Sequence, residues 1–338
     1  MTERKHPATL RDVAAAAGVD VSTVSRTLQS KGRVGEDTRA RILEAAERLN
    51  YQSNPIARAL KTARSSTILM MVPQIENPIF ASAIIGAEAE ARAAGYSLLV
   101  CYEQSDGPEL MTEISRSSLI EGVVVASFDE DGRLRNTMSS TDRPHVILNR
   151  HLPGEQNCVA IDTRLAARIG VAHLIENGHR RIGHLAGRLG RFNGEMRRSG
   201  WRETMAEAGL DHGDDLVAEA GYSPELVPDA VDRLVARGVT AIHAATLLTA
   251  VTAIARLHEI GTSVPGEISV VTMHDDLLAR VVYPQVTTVA LPSDEMGRVA
   301  VRRLLGLIRQ DGSGGRSPVL LPPGQLIIRG SVAPPTQD

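Results

Sequence analysis

The sequence predicts an all-α helix-turn-helix head followed by an α/β core of two doubly wound parallel-sheet subdomains. Three observations predict it. Apolar residues between positions 10 and 28 recur at helical spacing around a single glycine. From Ser66 onward, short apolar runs alternate with amphipathic helical stretches, the pattern of strands covered on both faces. Those runs fall into two successive series, which implies two such units with a cleft between them. A length of 338 residues leaves room for two or three domains. A hydrophobic content of 43% with 23% charged residues describes a globular chain.

The head begins with Leu10 to Leu28, LRDVAAAAGVDVSTVSRTL. Leu10, Val13, Ala14 and Ala17 make one apolar stripe, and Gly18 stands where a helix ends in a left-handed turn. In the second helix Val21, Val24, Ser25 and Leu28 are expected to share a face, with Ser22, Thr23 and Arg26 pointing elsewhere. Ala14 lets the two helices approach, Gly18 makes the turn, and Val24 locks the second helix onto the first. The exposed face of that second helix would then enter a DNA major groove; an ordinary helical hairpin is the competing reading of the spacing. A third helix is expected from about Glu36 to Asn50, with Ile42, Leu43, Ala46 and Leu49 inward. Tyr51 follows, and a short segment, Asn54 to Lys61, opens with Asn at a cap and Pro in the first turn.

A net charge of −3 argues against nucleic acid until it is divided. Residues 1–64 carry 12 Lys and Arg against 7 Asp and Glu, leaving 25 against 33 for the rest. The basic end is the one suited to phosphate, and the acidic body discourages unproductive contact with it. Cys101 and Cys158 lie in strand-like runs with no partner at metal spacing, and are expected to be buried thiols. The histidines at 173, 179, 184, 243 and 258 are too scattered in sequence for a metal site. No metal, cofactor or catalytic motif is expected. MTERKHPATL has no apolar core of signal-peptide length and no stretch approaches a membrane span, so a cytoplasmic protein is expected.

In the core, runs 67–73, 96–102, 122–127 and 145–149 read as one series of strands, with a helix at 78–94. Runs 181–187, 240–245 and 268–273 read as the second series. Residues 287–305 return the chain to the first unit, with Met296, Val299, Ala300 and Leu304 on one helical face. Ligands of such folds bind outside the carboxyl ends of the strands, which places a small-molecule site between the two units.

The stretches LRDVAAAAGVDVSTVSRTL and TRARILEAAERLNYQSNPIARALKT resemble the lactose-repressor (LacI/GalR) family of bacterial transcription regulators, and matches continue from about Thr9 to Arg329. The resemblance implies a homodimeric repressor of a pseudo-palindromic operator on double-stranded DNA. Its core would be of periplasmic-binding-protein-like type and take a sugar, sugar derivative or related metabolite as effector. It implies a head over residues 1–53, a hinge over 54–65 and a core over 66–338. In that core the first subdomain spans about 66–160 plus 292–321, and the second about 161–291 plus 322–331. Base contacts are implied at Val21, Ser22 and Arg26; a guanidinium reads guanine bidentately, and Val21 suits a thymine methyl. Phosphate contacts are expected from Thr23, Ser25, Thr38, Tyr51 and Asn54, with Leu10 and Arg11 adding contacts at the first helix. In the hinge, Leu60 would wedge into the minor groove, Ala57 approach the groove floor, and Arg58 and Lys61 reach phosphates. Packing of Leu60 on the core is the competing reading.

For the cleft, the resemblance implies Phe80 as an apolar wall and Arg197 as an effector contact, against a surface salt bridge as the alternative. The chain departs from the family elsewhere. Asp20 and Gly35 replace cap serines. Thr272-Met273-His274-Asp275 stands where Gly-Phe-Asp-Asp is usual, so His274 replaces a ligand-binding Asp. Thr246-Leu247 replaces Asn-Asp, Asn149 replaces Asp, and Leu291 replaces Gln. The pocket is therefore expected to be less acidic, and His274 is either a contact to an anionic or titratable ligand or a satisfied interior histidine. A regulator without any small-molecule response is the alternative function. No leucine heptad follows the last strands, so a dimer is expected rather than a tetramer.

Overall fold

The computed structural model describes residues 8–28, 34–51, 65–102, 113, 117, 119–126, 143–151, 154–312, 315 and 317–336. Contacts divide the chain into two units, Met1–Ser65 and Ser66–Asp338.

The first unit holds three helices, α1 (Leu10–Ala17), α2 (Val21–Leu28) and α3 (Glu36–Arg48). Thr9 and Asp12 form a reciprocal capping box at the start of α1. The two hydrogen bonds to the Asp12 carboxylate hold it below its usual range. Gly18 has φ 63°, the left-handed conformation that ends α1 and turns the chain toward α2. Val13, Ala14, Ala17, Val24, Ile42, Ala45 and Ala46 form the small core. Leu43, expected inward, is 47% exposed, and Ala45 takes the inward position instead. At 3.6 residues per turn Leu43 sits a quarter turn past Ile42, off the stripe that Ala45, Ala46 and Leu49 continue. Gly35 leaves α3 without a side-chain cap, and Glu36 and Asp37 supply negative charge to its first turn.

The second unit contains two six-stranded sheets. The first is ordered β11-β5-β4-β3-β1-β2, from Thr67–Val72 (β1), Ser97–Tyr102 (β2), Gly122–Val125 (β3), His145–Leu148 (β4), Cys158–Ile161 (β5) and Val319–Leu321 (β11). All its pairings are parallel. The second is ordered β12-β10-β9-β8-β6-β7, from Ile182–Ala186 (β6), Val217–Glu219 (β7), Ala241–Ala244 (β8), Ser269–Met273 (β9), Thr287–Val289 (β10) and Leu326–Ile327 (β12). Here β12 is antiparallel to β10, a departure from the all-parallel expectation. It enters from the first sheet and runs back along the edge, with no helix to reverse it.

Three segments cross between the sheets, and they bond to one another. Asp162 donates its N–H to Leu321 O at 2.9 Å, while Gly324 and Ala290 exchange backbone bonds with the neighbouring crossover at 2.8 and 3.0 Å. Helix α4 (Pro78–Ala93) packs on α10 (Ser293–Arg309) through glycines: a Cβ on Gly297 would lie 2.0 Å from Ala83 O. Met296, Ala300 and Leu304 of α10 are buried, and Val299 is partly so. In the second lobe α5 (Thr163–Glu176) and α6 (Phe192–Glu207) cover one face, and α7 (Val227–Ala236) and α8 (Leu247–Glu259) cover the other. The short α9 (Leu277–Val281) follows β9.

His184 and His243, far apart in sequence, meet across β6 and β8, Nδ1 to Nδ1 at 3.0 Å, with His184 also stacked on Trp201. Parallel neighbours place these two in register, which their separation in sequence does not show. Among the described residues no cluster of three or more metal-ligand side chains forms. His184 Nδ1 also faces His243 O at 3.1 Å, an arrangement in which a single proton on that nitrogen serves both contacts when the rings are neutral. Burial pushes His184 down to about 4 and His243 well below its usual value, with Arg197 adding to both shifts. His173, His179 and His274 shift the same way, burial again leading.

The unfolded chain therefore takes up protons below about pH 6.5 that the folded core refuses. Stability is complete above that pH and falls as pH drops toward 4, by roughly 3 kcal/mol for His184 alone. Urea unfolding followed by Trp201 fluorescence from pH 7.5 to 4.5 should show this decline; a flat profile would remove the neutral pair.

Candidate functional site

In the head, α2 presents its surface as one arc. At about 100° per residue, Val21, Ser25, Ser22 and Arg26 fall within roughly 140°, and Val24 and Thr27 lie opposite. Val24 and Thr27 are buried, whereas Val21 is 41% exposed and Ser22 and Arg26 are exposed. The expectation that Val21 shares the inward face is thus overturned: it is the first residue of the helix and leaves the stripe before Val24 and Thr27 begin to pack. Three candidate base-reading residues stand together on an open surface. Arg26 Nε reaches only the Ser22 carbonyl at 3.3 Å, a weak bond that leaves the guanidinium edge extended. Thr23 is half-buried beside the arc and Ser25 half-buried within it, and the Asp20 carbonyl accepts from Thr23 and Val24 N–H at 2.9 and 3.1 Å.

Arg11 is exposed on α1, whereas Leu10 packs partly against the head core. Thr38 is half-buried on the first turn of α3. Tyr51 also packs against the core, and burial raises its phenol pKa, which keeps the hydroxyl a hydrogen-bond donor. Asn54, Ala57, Arg58, Leu60 and Lys61 lie outside the described residues.

In the core, one cavity of about 460 Å³ opens at the carboxyl ends of the strands of both sheets. All five expected residues line it: Phe80, Asn149, Arg197, Thr246 and His274, with Leu291 from a crossover. Asn149 and His274 follow β4 and β9 in left-handed conformations, φ 59° and 74°. Each donates a backbone N–H at 2.8 Å, Asn149 to Val159 O and His274 to Val289 O, which fixes these strained positions. The Asn149 side-chain oxygen is buried without a hydrogen-bond partner. Thr246 spends its hydroxyl on capping α8, accepting the Thr249 N–H at 3.2 Å. Asp275 points away: burial pushes it up, but hydrogen bonds from Arg280, Arg329 and Thr288 hold it low overall.

Arg197 is 4% exposed, so the surface salt-bridge alternative fails; it reaches the Tyr222 hydroxyl at 3.5 Å, and Nε has no partner. Sequence reasoning missed Arg150, Arg188, Arg191, Asn193 and Tyr222, which also line the cavity. They lie on loops and a helix start, where no periodicity marks a side chain as inward; Arg188 and Arg191 were visible only as basic residues just after a strand. Asn193 Nδ2 donates to Asn149 O at 2.7 Å, joining the two lobes at the cavity edge.

A helical head with an exposed second helix, in one chain with a two-lobed core that encloses a cavity, is the build of a DNA-binding transcription regulator rather than of an enzyme. Comparison with known proteins agrees. Residues 9–54 match the model for bacterial regulatory proteins of the lacI family, and residues 171–332 match a periplasmic binding protein-like domain. The chain is 32% identical over 306 residues to the HTH-type transcriptional regulator GalR of Escherichia coli, covering 89% of each. It is 29% identical to the HTH-type transcriptional repressor PurR of Photobacterium profundum, covering 96% of this chain and 98% of that one. The solved complex of the transcriptional regulator CelR with cellobiose is 28% identical, with a TM-score of 0.73, over 96% of this chain and 99% of that one. The chain belongs to the lacI family of bacterial regulatory proteins. No described helix is long and apolar enough to cross a membrane.

Because Val24 is fully buried between α1 and α3, Val24→Ala should cost about 2 kcal/mol in a head with little core to spare. Limited proteolysis should then cut within residues 9–51 much faster, with the Trp201-reported core transition unmoved; equal cleavage rates would discard the locking role.

Proposed function

We propose that the protein is a cytoplasmic homodimeric repressor that binds a pseudo-palindromic operator and is controlled by a small-molecule effector in the core cavity. The observation that carries this reading is the pair of sites on one chain: an exposed α2 arc of Val21, Ser22 and Arg26, and a cavity lined by Phe80, Asn149, Arg197, Thr246 and His274. Arg26 would read a guanine edge, Val21 a thymine methyl, and Ser22 a polar base edge. Arg11, Thr23, Ser25, Thr38 and Tyr51 would position the head on phosphates, with Leu10 holding α1 in place. The hinge roles of Asn54, Ala57, Arg58, Leu60 and Lys61 rest on the family resemblance alone.

Exposed apolar residues support pairing of two copies. Leu277 and Val281 are one turn apart on α9, and Tyr283, 88% exposed, follows them. Two heads on a dimer match two half-sites of a symmetric operator. The cavity, still roomy and lined with polar groups, favours an effector-responsive protein over one that has lost its response. The cellobiose complex of CelR is a sugar-bound relative of the same build.

Arg26→Ala should lose roughly 1–3 kcal/mol of discrimination at one base pair of each half-site and change salt dependence little. Fluorescence anisotropy across singly substituted duplexes, chosen by selection from random DNA, reads this; retained discrimination at every position removes Arg26 as a reader. Val281→Asp combined with Tyr283→Asp should give a monomer by light scattering and weaken operator binding at least tenfold. A dimer that survives both charges places the interface elsewhere.

A further inference from the structure

We propose that the effector is an anion: a small hydroxylated molecule bearing a phosphate ester or carboxylate, held by Arg197 beside the start of α6. The inference rests on the reading of the core cavity as the effector site. Of the twenty described residues around that cavity, four are arginines (Arg150, Arg188, Arg191 and Arg197) and none is Asp or Glu.

Arg197 is the decisive one. It is buried, its Nε has no partner, and its contact to the Tyr222 hydroxyl is long at 3.5 Å. A buried cation without a carboxylate is costly, and an incoming anion offsets that cost where a neutral sugar does not. Two carboxylates of the flanking segments are engaged elsewhere. Glu195 accepts from Arg198 at 2.7 Å and from Gly190 N–H at 2.8 Å, and Glu219 accepts from Leu189 N–H at 3.0 Å.

The backbone points the same way. Three helices begin at the cavity, and two are closed by their own side chains: Asn77 caps α4 and Thr246 caps α8. Helix α6 starts at Arg191 with no side-chain cap, so its first amides and the positive end of its dipole face the cavity unclaimed by a side chain. Arg188, Arg191, Phe192 and Asn193 line the cavity around that end. The rest of the ligand is marked by two buried acceptors without partners, the side-chain oxygens of Asn149 and Asn193. They call for donors, which hydroxyl groups supply. Phe80, Leu247 and Leu291 leave an apolar wall for the carbon skeleton.

The test uses the full chain and a small-molecule extract of bacterial cells, split on an anion-exchange resin into retained and flow-through fractions. The retained fraction should raise the melting temperature by several degrees, and the flow-through should not. Arg197→Met should abolish that shift while leaving the melting temperature in buffer equal or higher, because an uncompensated buried charge has been removed. Phosphatase treatment of the retained fraction distinguishes the sources: loss of the shift identifies a phosphate ester, and survival identifies a carboxylate. A shift given by the flow-through alone overturns the anion while leaving the effector site standing. No shift with either fraction overturns both readings, and a shift from the retained fraction that Arg197→Met leaves intact overturns the anion held by Arg197 while leaving the effector site standing.

Discussion

Parallel strands are joined by crossovers that carry the chain back to the starting edge, usually through a covering helix, so the parallel strands of a doubly wound sheet all end on the same edge. That constraint builds the core site. Pro73, Asn149, Ala245 and His274 each come just after a strand, and all four line one cavity despite separations of up to two hundred residues. Helices start at the same edge, so their positive ends gather there too. The location of the cavity is thus a property of the topology. What the cavity binds is decided by the few residues that occupy those positions.

Those residues divide the charge unevenly. Asp275 is adjacent to His274, yet its carboxylate is taken by Arg329 at 2.6 Å and Arg280 at 3.0 Å. It ties the terminal segment to the second sheet and adds no negative charge to the cavity lining. Arg197 has no carboxylate partner among the described residues, and its charge reaches inward as well, helping to keep His184 and His243 neutral. An acid in the family position now held by His274 would have cancelled part of this field. Burial instead keeps His274 inclined to the neutral form.

Most of this fold was legible in the sequence because its signals are repetitive. Strands at 67–72, 145–148, 182–186 and 269–273 appear as mainly apolar runs without strict alternation, and each is indeed buried on both faces. Short strands at 217–219, 319–321 and 326–327 carry too few residues for any period, and they sit at sheet edges where one side is open. In the head, the glycine turn and the Val24 lock were legible because each satisfies a local requirement. Val21 and Leu43 were misplaced because an apolar side chain at a helix end or beside the stripe looks the same in sequence as one within it. The five core residues carried over by resemblance all reached the cavity. The arginines around the α6 start did not announce themselves, since a basic residue in a loop is ordinarily solvated.

The cavity has walls from both lobes, and that bears on how a ligand could signal. A ligand shifts a conformational balance only by the difference in its affinity for the two states. Neutralising Arg197 involves the second lobe alone, so it contributes affinity in nearly the same amount whether the lobes stand open or closed. Contacts to Phe80 and the Asn149 side chain belong to the first lobe, and with Arg197 engaged they form only when the lobes close. Asn193 already bridges to the Asn149 carbonyl at 2.7 Å, which holds the lobes together at one edge of the cavity without a ligand. The anionic end of an effector would therefore secure binding, and its hydroxylated end, reaching Asn149, would carry the conformational signal. Affinity and response are separable in this arrangement because they draw on different lobes.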